Sequence, residues 1–283
     1  MASVSVITGG AGGMGLATAK ILGRDHTVVL CDVRQERLDS AQAALEDLGI
    51  VATAINCDVT DRDAVTRLFE TATGLGTLAS VIHTAGVSPS MGNAEFVMRT
   101  NAFGTLVVNE MFYDLAGDVH GDGAVIVNVA SMAAQLLPDR AYPTKQFPLA
   151  YSDGDAFVAA MTAYCNNAPE QLRSGFSYTV SKAFVKWYCA SQAERFGARG
   201  LRIVSVSPGN IDTEMGRREE KAGVGMMMPD ALIPRWGTAE EMAELFAFCA
   251  GNKCAYLTGA DILADGGVVA SMAERARVAA ELG

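Results

Sequence analysis

The chain has 283 residues, 32 acidic against 22 basic side chains and a formal net charge of −10, a balance that speaks against nucleic acid as a partner. Half of its residues are hydrophobic, but they are cut into strand and helix lengths, and no uninterrupted run is long enough to span a bilayer, so no membrane partner is expected. Alternating strand and helix patterns, without an internal repeat or a Pro/Ser-rich linker, predict an α/β protein forming one domain over residues 1–283.

Val4 to Ile7 reads as a short buried strand that runs into Thr8-Gly9-Gly10-Ala11-Gly12-Gly13-Met14-Gly15, after which Leu16 to Leu22 has helical character. A strand, a glycine turn and a helix in this order let the backbone approach a pyrophosphate, with helix amides and dipole facing the anion. Gly10, Gly12 and Gly15 fit G-x-G-x-x-G, while Gly9, Gly13 and Gly15 fit T-G-x-x-x-G-x-G, and both frames stay open. A second run, Thr27 to Cys31, ends at Asp32, seventeen residues past Gly15, where a carboxylate would bond the ribose hydroxyls of NAD and repel a 2′-phosphate. NAD is therefore the expected cofactor. The alternative reading of Asp32 is a cap for the helix starting near Arg34, and Arg34 itself is placed to assist a 2′-phosphate.

The strand Val51 to Cys57 is followed by Asp58-Val59-Thr60, and Asp61 is the better cap for the next helix, which leaves Asp58 freer for a ligand. A fourth strand leads to His83-Thr84-Ala85-Gly86, where the small Ala85-Gly86 pair allows close approach to a cofactor and His83 is expected to be a buried, hydrogen-bonded structural residue. Asn101 lies in Arg99-Thr100-Asn101-Ala102-Phe103, where it reads equally as a helix cap. Ser131 closes the strand Ala124 to Val129; it either starts a turn or stands at the carboxyl end of the sheet, where open α/β sheets bind ligands.

Tyr178 and Lys182 are four residues apart on one predicted helix, so an ammonium lies beside a phenol unless both belong to a solvated face. The cation favours the phenolate and moves its pKa down from roughly 10 toward working pH, as general acid-base catalysis requires. Leu201 to Val206 is a sixth strand, Thr238 caps the helix Ala239 to Ala250, Ala260 to Gly267 is a seventh strand with its turn, and Ser271 to Leu282 is an amphipathic helix suited to a neighbouring subunit. Cysteines 31, 57, 165, 189, 249 and 254 lack ligand spacing, which predicts reduced thiols and no metal. With no charged leader ahead of the first strand, a cytoplasmic location is expected.

Thr8 to Gly15, Asn101, Ser131, Tyr178-x-x-x-Lys182 and Ser207-Pro208-Gly209 occur in the order of the classical short-chain dehydrogenase/reductase family and span most of the chain; together they resemble it. Leu257-Thr258-Gly259 and Asp265-Gly266-Gly267 resemble its C-terminal signature. The resemblance implies a Rossmann fold, a doubly wound seven-stranded parallel sheet with helices on both faces, and NAD-dependent hydride transfer. It also implies that Tyr178 donates or accepts the proton, Ser131 holds the substrate oxygen, Lys182 binds the nicotinamide ribose and lowers the Tyr178 pKa, and Asn101 keeps a water in a proton relay. Asp58 would meet the adenine and Thr213 the carboxamide. Met14, Val33 and Val59 join the implied cofactor contacts, as do Pro208, Gly209 and Ile211.

Two departures stand out. His83-Thr84 replaces the paired amides of the family's Asn-Asn-Ala-Gly, and Tyr178 follows Ser131 by 47 positions, more than in most members. The insertion, about 136–174, begins with a loop-like stretch from Pro138 to Pro148 and then offers a helix capped by Asp153 or Asp155, with Phe157, Val158, Met161, Tyr164 and Cys165 on one face. It reads as a lid or substrate wall, as passive decoration, or as a cover over a helix that relatives use to oligomerise. A substrate lid is expected at about 212–235, with a charged helix from Glu214 to Lys221 and a soft Met226-Met227-Met228 run, the latter otherwise core filling.

The expected reaction is interconversion of a secondary alcohol and a ketone, with Tyr178 as general acid/base. Met226 to Met228, Phe157 and Met161 are expected at the mouth and point to an apolar, alicyclic, hydroxysteroid-like substrate. The position of the insertion also resembles a hydroxysteroid dehydrogenase and carbonyl reductase branch. The alternatives are a dinucleotide-sensing regulator without catalysis and a reductase of small carbonyl or sugar substrates. A homodimer or homotetramer is the expected assembly.

Overall fold

A computed structural model describes residues 2–116, 123–221 and 230–282. Its strands are β1 (Ser3–Thr8), β2 (Thr27–Asp32), β3 (Ala52–Asn56), β4 (Thr77–His83), β5 (Val125–Val129), β6 (Arg202–Pro208), β7 (Ile211–Asp212), β8 (Gly237–Thr238) and β9 (Asp261–Ala264). The helices are α1 (Gly13–Leu22), α2 (Gln35–Glu46), α3 (Arg62–Leu75), α4 (Ala94–Met98), α5 (Gly104–Ala116), α6 (Gly154–Cys165), α7 (Arg173–Gly197), α8 (Glu214–Lys221), α9 (Ala239–Ala250) and α10 (Val268–Leu282). Among the described residues one seven-stranded sheet runs β3-β2-β1-β4-β5-β6-β9, with every neighbouring pair parallel.

Alternate side chains of each strand feed two cores. Val4, Val6, Ile126 and Ile203 join Phe69, Phe112 and Phe184 of α3, α5 and α7 on one face. Ile7, Leu30, Val127 and Val204 join Ala19, Leu38 and Phe246 of α1, α2 and α9 on the other. Strands covered on both sides in this way need apolar residues at consecutive positions, which is why Val28 to Cys31 of β2 and Val125 to Val127 of β5 read as hydrophobic runs. Because β1 lies between β2 and β4, the winding reverses there, and a crevice opens beyond the carboxyl ends at Thr8 and His83.

The short pair β7 and β8 was not anticipated from the sequence; it joins Ile211 to Gly237 and fastens the segment that carries α8. No helix among the described residues is long and apolar enough to cross a membrane.

The insertion follows the expectation in part: its helix forms, but Phe157 and Met161 do not reach the substrate mouth. Asp153 caps α6 by accepting from the Ala156 N–H at 2.9 Å, while Asp155 instead pairs with Arg99 at 2.8 Å. The stretch expected as loop contains 3-10 turns at Asp139–Ala141 and Thr144–Tyr151. Phe157 and Met161, expected at the substrate mouth, are fully buried in the core. The Phe157 ring lies 4.6 Å from Phe184 of α7, centroid to centroid, and Phe147 lies 5.4 Å from the same ring. The apolar face of α6 finds its partner in α7, and that pairing takes these side chains away from the cleft. Met226 to Met228 lie outside the described residues.

Candidate active site

The turn after β1 resolves the choice of glycine frame. Gly9 (φ +63°) and Gly13 (φ +51°) occupy the left-handed region, whereas Gly12 is extended. A Cβ at Gly15 would stand 2.5 Å from the Gly9 carbonyl oxygen, so only glycine lets the first turn of α1 close against the loop. This is the T-G-x-x-x-G-x-G arrangement. It leaves the N-terminal amides of α1 facing a cleft of about 1080 Å³, an anion site of the kind a pyrophosphate fits.

At one end of that cleft, Asp32 closes β2 and accepts from the Arg34 N–H at 3.2 Å. Asp58 is less free than its spacing suggests, because one carboxylate oxygen accepts from both the N–H and the hydroxyl of Thr60 at 2.8 Å. Asp61 does cap α3, accepting from the Asp63 and Ala64 amides. Two arginines flank Asp32, and both turn toward Glu214 of α8, Arg37 at 3.3 Å and Arg34 at 4.0 Å.

At the other end, Ser131 caps the 3-10 turn Met132–Gln135, accepting from the Ala133 N–H at 3.2 Å. Tyr178 and Lys182 project from successive turns of α7. Lys182 is 6% exposed and donates to the Val129 carbonyl at 2.8 Å; its Nζ lies 5.8 Å from the Tyr178 ring centroid. Burial lowers the ammonium from its ordinary value to about 8.

The phenol does not follow the expectation of a lowered pKa. Burial raises it, a hydrogen bond from Ser131 pulls it the other way, and the charge of Glu219 adds to the rise. In the protein alone the ammonium is committed to a backbone carbonyl, so desolvation wins.

Behind the cleft, Asn101 sits in a π-helical turn, Arg99–Phe103, and is not a helix cap. Such turns are frequent at functional sites. Asn101 Oδ1 accepts from the Val87 N–H at 2.8 Å, and Nδ2 donates to the Val87 carbonyl at 2.9 Å. A Cβ at Gly86 would lie 3.1 Å from Asn101 Oδ1, so the small residue lets these elements meet.

His83 ties the same region together. The Thr105 hydroxyl donates to the Asn101 carbonyl at 2.7 Å and therefore accepts from His83 Nε2 at 3.0 Å. Nδ1 in turn accepts from the Thr8 hydroxyl at 2.8 Å. Burial, reinforced by Lys182, holds the imidazole at about 3, hence neutral.

Gly9, Gly12, Gly13, Met14, Asp32, Val33, Asp58 and Val59 border the cleft, as do Ala85, Gly86, Ser131, Tyr178, Lys182, Pro208, Gly209, Ile211 and Thr213. Gly15 and Asn101 stand behind it. Thr213 accepts from the Gly216 N–H at 3.1 Å, starting α8, and its methyl comes close to Gly13. Residues without a local sequence signal also border the cleft, notably Arg37, Ser90, Phe176, Glu214 and Glu219.

A glycine loop at the switch point of a doubly wound sheet, opening on the same cleft as a serine, a tyrosine and a lysine, defines a nucleotide-binding oxidoreductase of the Rossmann type. Two family models match the chain, short chain dehydrogenase over residues 3–143 and enoyl-(acyl carrier protein) reductase over 145–269. The chain belongs to the short-chain dehydrogenase/reductase family, enzymes that bind a nicotinamide dinucleotide and act on CH–OH groups.

Among relatives, the short-chain dehydrogenase/reductase bsc3 of Alternaria brassicicola is 29% identical, covering 95% of this chain and 97% of its own. The cis-4-hydroxycyclohexanecarboxylate dehydrogenase of Sinomonas cyclohexanicum is 29% identical over 94% and 96%. A Burkholderia cenocepacia short chain dehydrogenase solved with NADP superposes with a TM-score of 0.72 at 25% identity, covering 93% of this chain and 96% of that one.

Proposed function

We propose that the protein is an NAD-dependent dehydrogenase/reductase that interconverts a secondary, alicyclic alcohol and its ketone, with Tyr178 as general acid/base. The observation that carries this reading is the convergence of the Ser131 hydroxyl, the half-buried Tyr178 phenol and the buried Lys182 ammonium on the cleft that the glycine loop opens. A bound nicotinamide would supply the ring carbon that exchanges the hydride.

Ser131 donates a hydrogen bond to the substrate oxygen and holds the carbinol beside Tyr178. In oxidation the Tyr178 oxygen takes the hydroxyl proton as the hydride leaves carbon; in reduction it returns that proton to the alkoxide. Lys182 keeps a cation behind the phenol and would hold the cofactor's ribose. Asn101, clamped by Val87 on both sides of its amide, is the fixed end of the relay that carries the proton away.

Asp32 supports the choice of NAD. So does Glu214, because it engages both guanidinium groups, Arg34 and Arg37, that would otherwise be available to a 2′-phosphate. An alicyclic substrate is supported by the apolar walls at Met91, Phe96, Leu172 and Phe176, and by the name of the Sinomonas relative. The segment 136–174 reads best as a cover for α7 that reaches the cleft only through Leu136 at one end and Gln171, Leu172 and Ser174 at the other. Assembly as a homodimer or homotetramer belongs to the same proposal.

The test is nicotinamide absorbance with a panel of secondary alcohols and ketones, alicyclic, aliphatic and sugar-derived, using NAD and NADP in parallel. Turnover of the alicyclic members with NAD supports the reading. NAD binding without turnover of any member would make the protein a dinucleotide sensor, and turnover confined to small carbonyls or sugars would overturn the substrate assignment.

A further inference from the structure

We propose that Glu219 is a substrate-specificity residue whose carboxylate receives a hydrogen-bond donor, a hydroxyl or a protonated amine, carried on the far part of an otherwise apolar substrate. The proposal takes the position of the reacting end from the reading of Ser131 and Tyr178 given above.

Helix α8 carries Glu219 over the cleft. One carboxylate oxygen accepts from the Ser90 N–H at 3.2 Å and from the Ser90 hydroxyl, so the loop after β4 fixes the side chain. The second oxygen is buried and has no hydrogen-bond partner among the described residues. A carboxylate oxygen withdrawn from water in this way lacks the donor that would offset its desolvation, and Glu219 borders the cleft from which a ligand can supply one. Glu219 borders the same cleft as Ser131 and Tyr178, and its charge is felt by the Tyr178 phenol, which places it at the substrate end.

The surroundings narrow the class of ligand. Met91, Phe96, Leu172, Phe176 and Met215 wall the cleft with apolar surface. An apolar body fits these walls, and a single donor on it would complete the Glu219 carboxylate. An anionic substituent would meet a fixed negative charge, which gives specificity by exclusion as well as by attraction.

The experiment is calorimetric binding to the Tyr178→Phe protein loaded with NAD, in which the role of the phenol in turnover has no bearing on the result. The probes are a matched series of bicyclohexyl alcohols whose far ring bears no substituent, a hydroxyl, an amine or a carboxylate. The hydroxyl and amine compounds are expected to bind about tenfold or more tighter than the unsubstituted one, the range of a hydrogen bond to a charged group, and the carboxylate to bind worst. Whichever of the two donors binds tighter identifies the donor class.

Adding Glu219→Gln should abolish the advantage of the amine and lift the carboxylate to at least the level of the unsubstituted compound. Ser90→Ala, which removes the latching hydroxyl but keeps the carboxylate, should preserve the original ranking. Equal affinities across the series, a ranking that survives Glu219→Gln, or a ranking lost equally in Ser90→Ala would overturn the proposal. Failure of the acid/base reading would show separately, as undiminished turnover in Tyr178→Phe.

Discussion

Lys182 commits its ammonium to the Val129 carbonyl at 2.8 Å and holds it 5.8 Å from the centre of the Tyr178 ring. Burial lowers its pKa to about 8, so between about pH 8 and its ordinary value of 10.5 the unfolded chain binds a proton that the native protein has lost. Stability should therefore rise with pH across that window.

Lys182→Met should flatten this slope. Removing a fully buried charge gains on the order of 3 kcal/mol at pH 7, less roughly 1 kcal/mol for the bond to Val129, while NAD affinity and turnover fall. Thermal melts at pH 7 and pH 10 measure it. A variant less stable than the wild type at pH 7 would mean that the ammonium is better solvated than its burial indicates.

Cofactor choice should respond to two positions. If Asp32 holds the ribose as proposed, Asp32→Ala would remove that acceptor and the repulsion of a 2′-phosphate, while Glu214→Gln weakens the hold on Arg34 and Arg37. Each change should raise kcat/KM with NADP relative to NAD, and the double variant should exceed either, by about tenfold or more. A wild-type protein that already prefers NADP would refute the assignment of Asp32.

His83 predicts an acid limb. Its folded value near 3 lies below the ordinary 6.5, so its contribution is intact above about pH 6.5 and is lost as pH falls toward 3, by on the order of 5 kcal/mol in total. His83→Asn, which restores an amide to a position where the family usually carries one, should reduce the difference in unfolding free energy between pH 7 and pH 4. An unchanged difference would mean that other groups set the acid limb.

The insertion should behave as core. Phe157→Ala empties space against Phe184 and should cost about 3–5 kcal/mol in urea unfolding, with little change in the relative kcat/KM of small and bulky alcohols. A large selective loss for bulky substrates at unchanged stability would return Phe157 to the cleft wall.

The parts of the site that sequence made legible are local ones. The glycine turn, Asp32 and the Tyr178–Lys182 pair each lie within one strand-turn-helix unit or one helical turn, so spacing carries their geometry. The seven-stranded sheet followed from apolar runs of strand length. The pKa of Tyr178 was not legible, because burial and Glu219 act on it from other elements. Periodicity marked one apolar face on α6 but not its partner, and α7 with Phe184 claimed that face before the cleft could. Ser90 and Glu219 meet across 129 positions, a contact that no local pattern announces.

The most direct measurement is turnover and NAD binding in Tyr178→Phe, which keeps the ring and removes only the hydroxyl. If the phenol exchanges the proton, kcat should fall by about a hundredfold or more, in the range of general acid-base catalysis, while NAD binds within a few-fold of wild type. A kcat comparable to wild type would contradict the account at its centre.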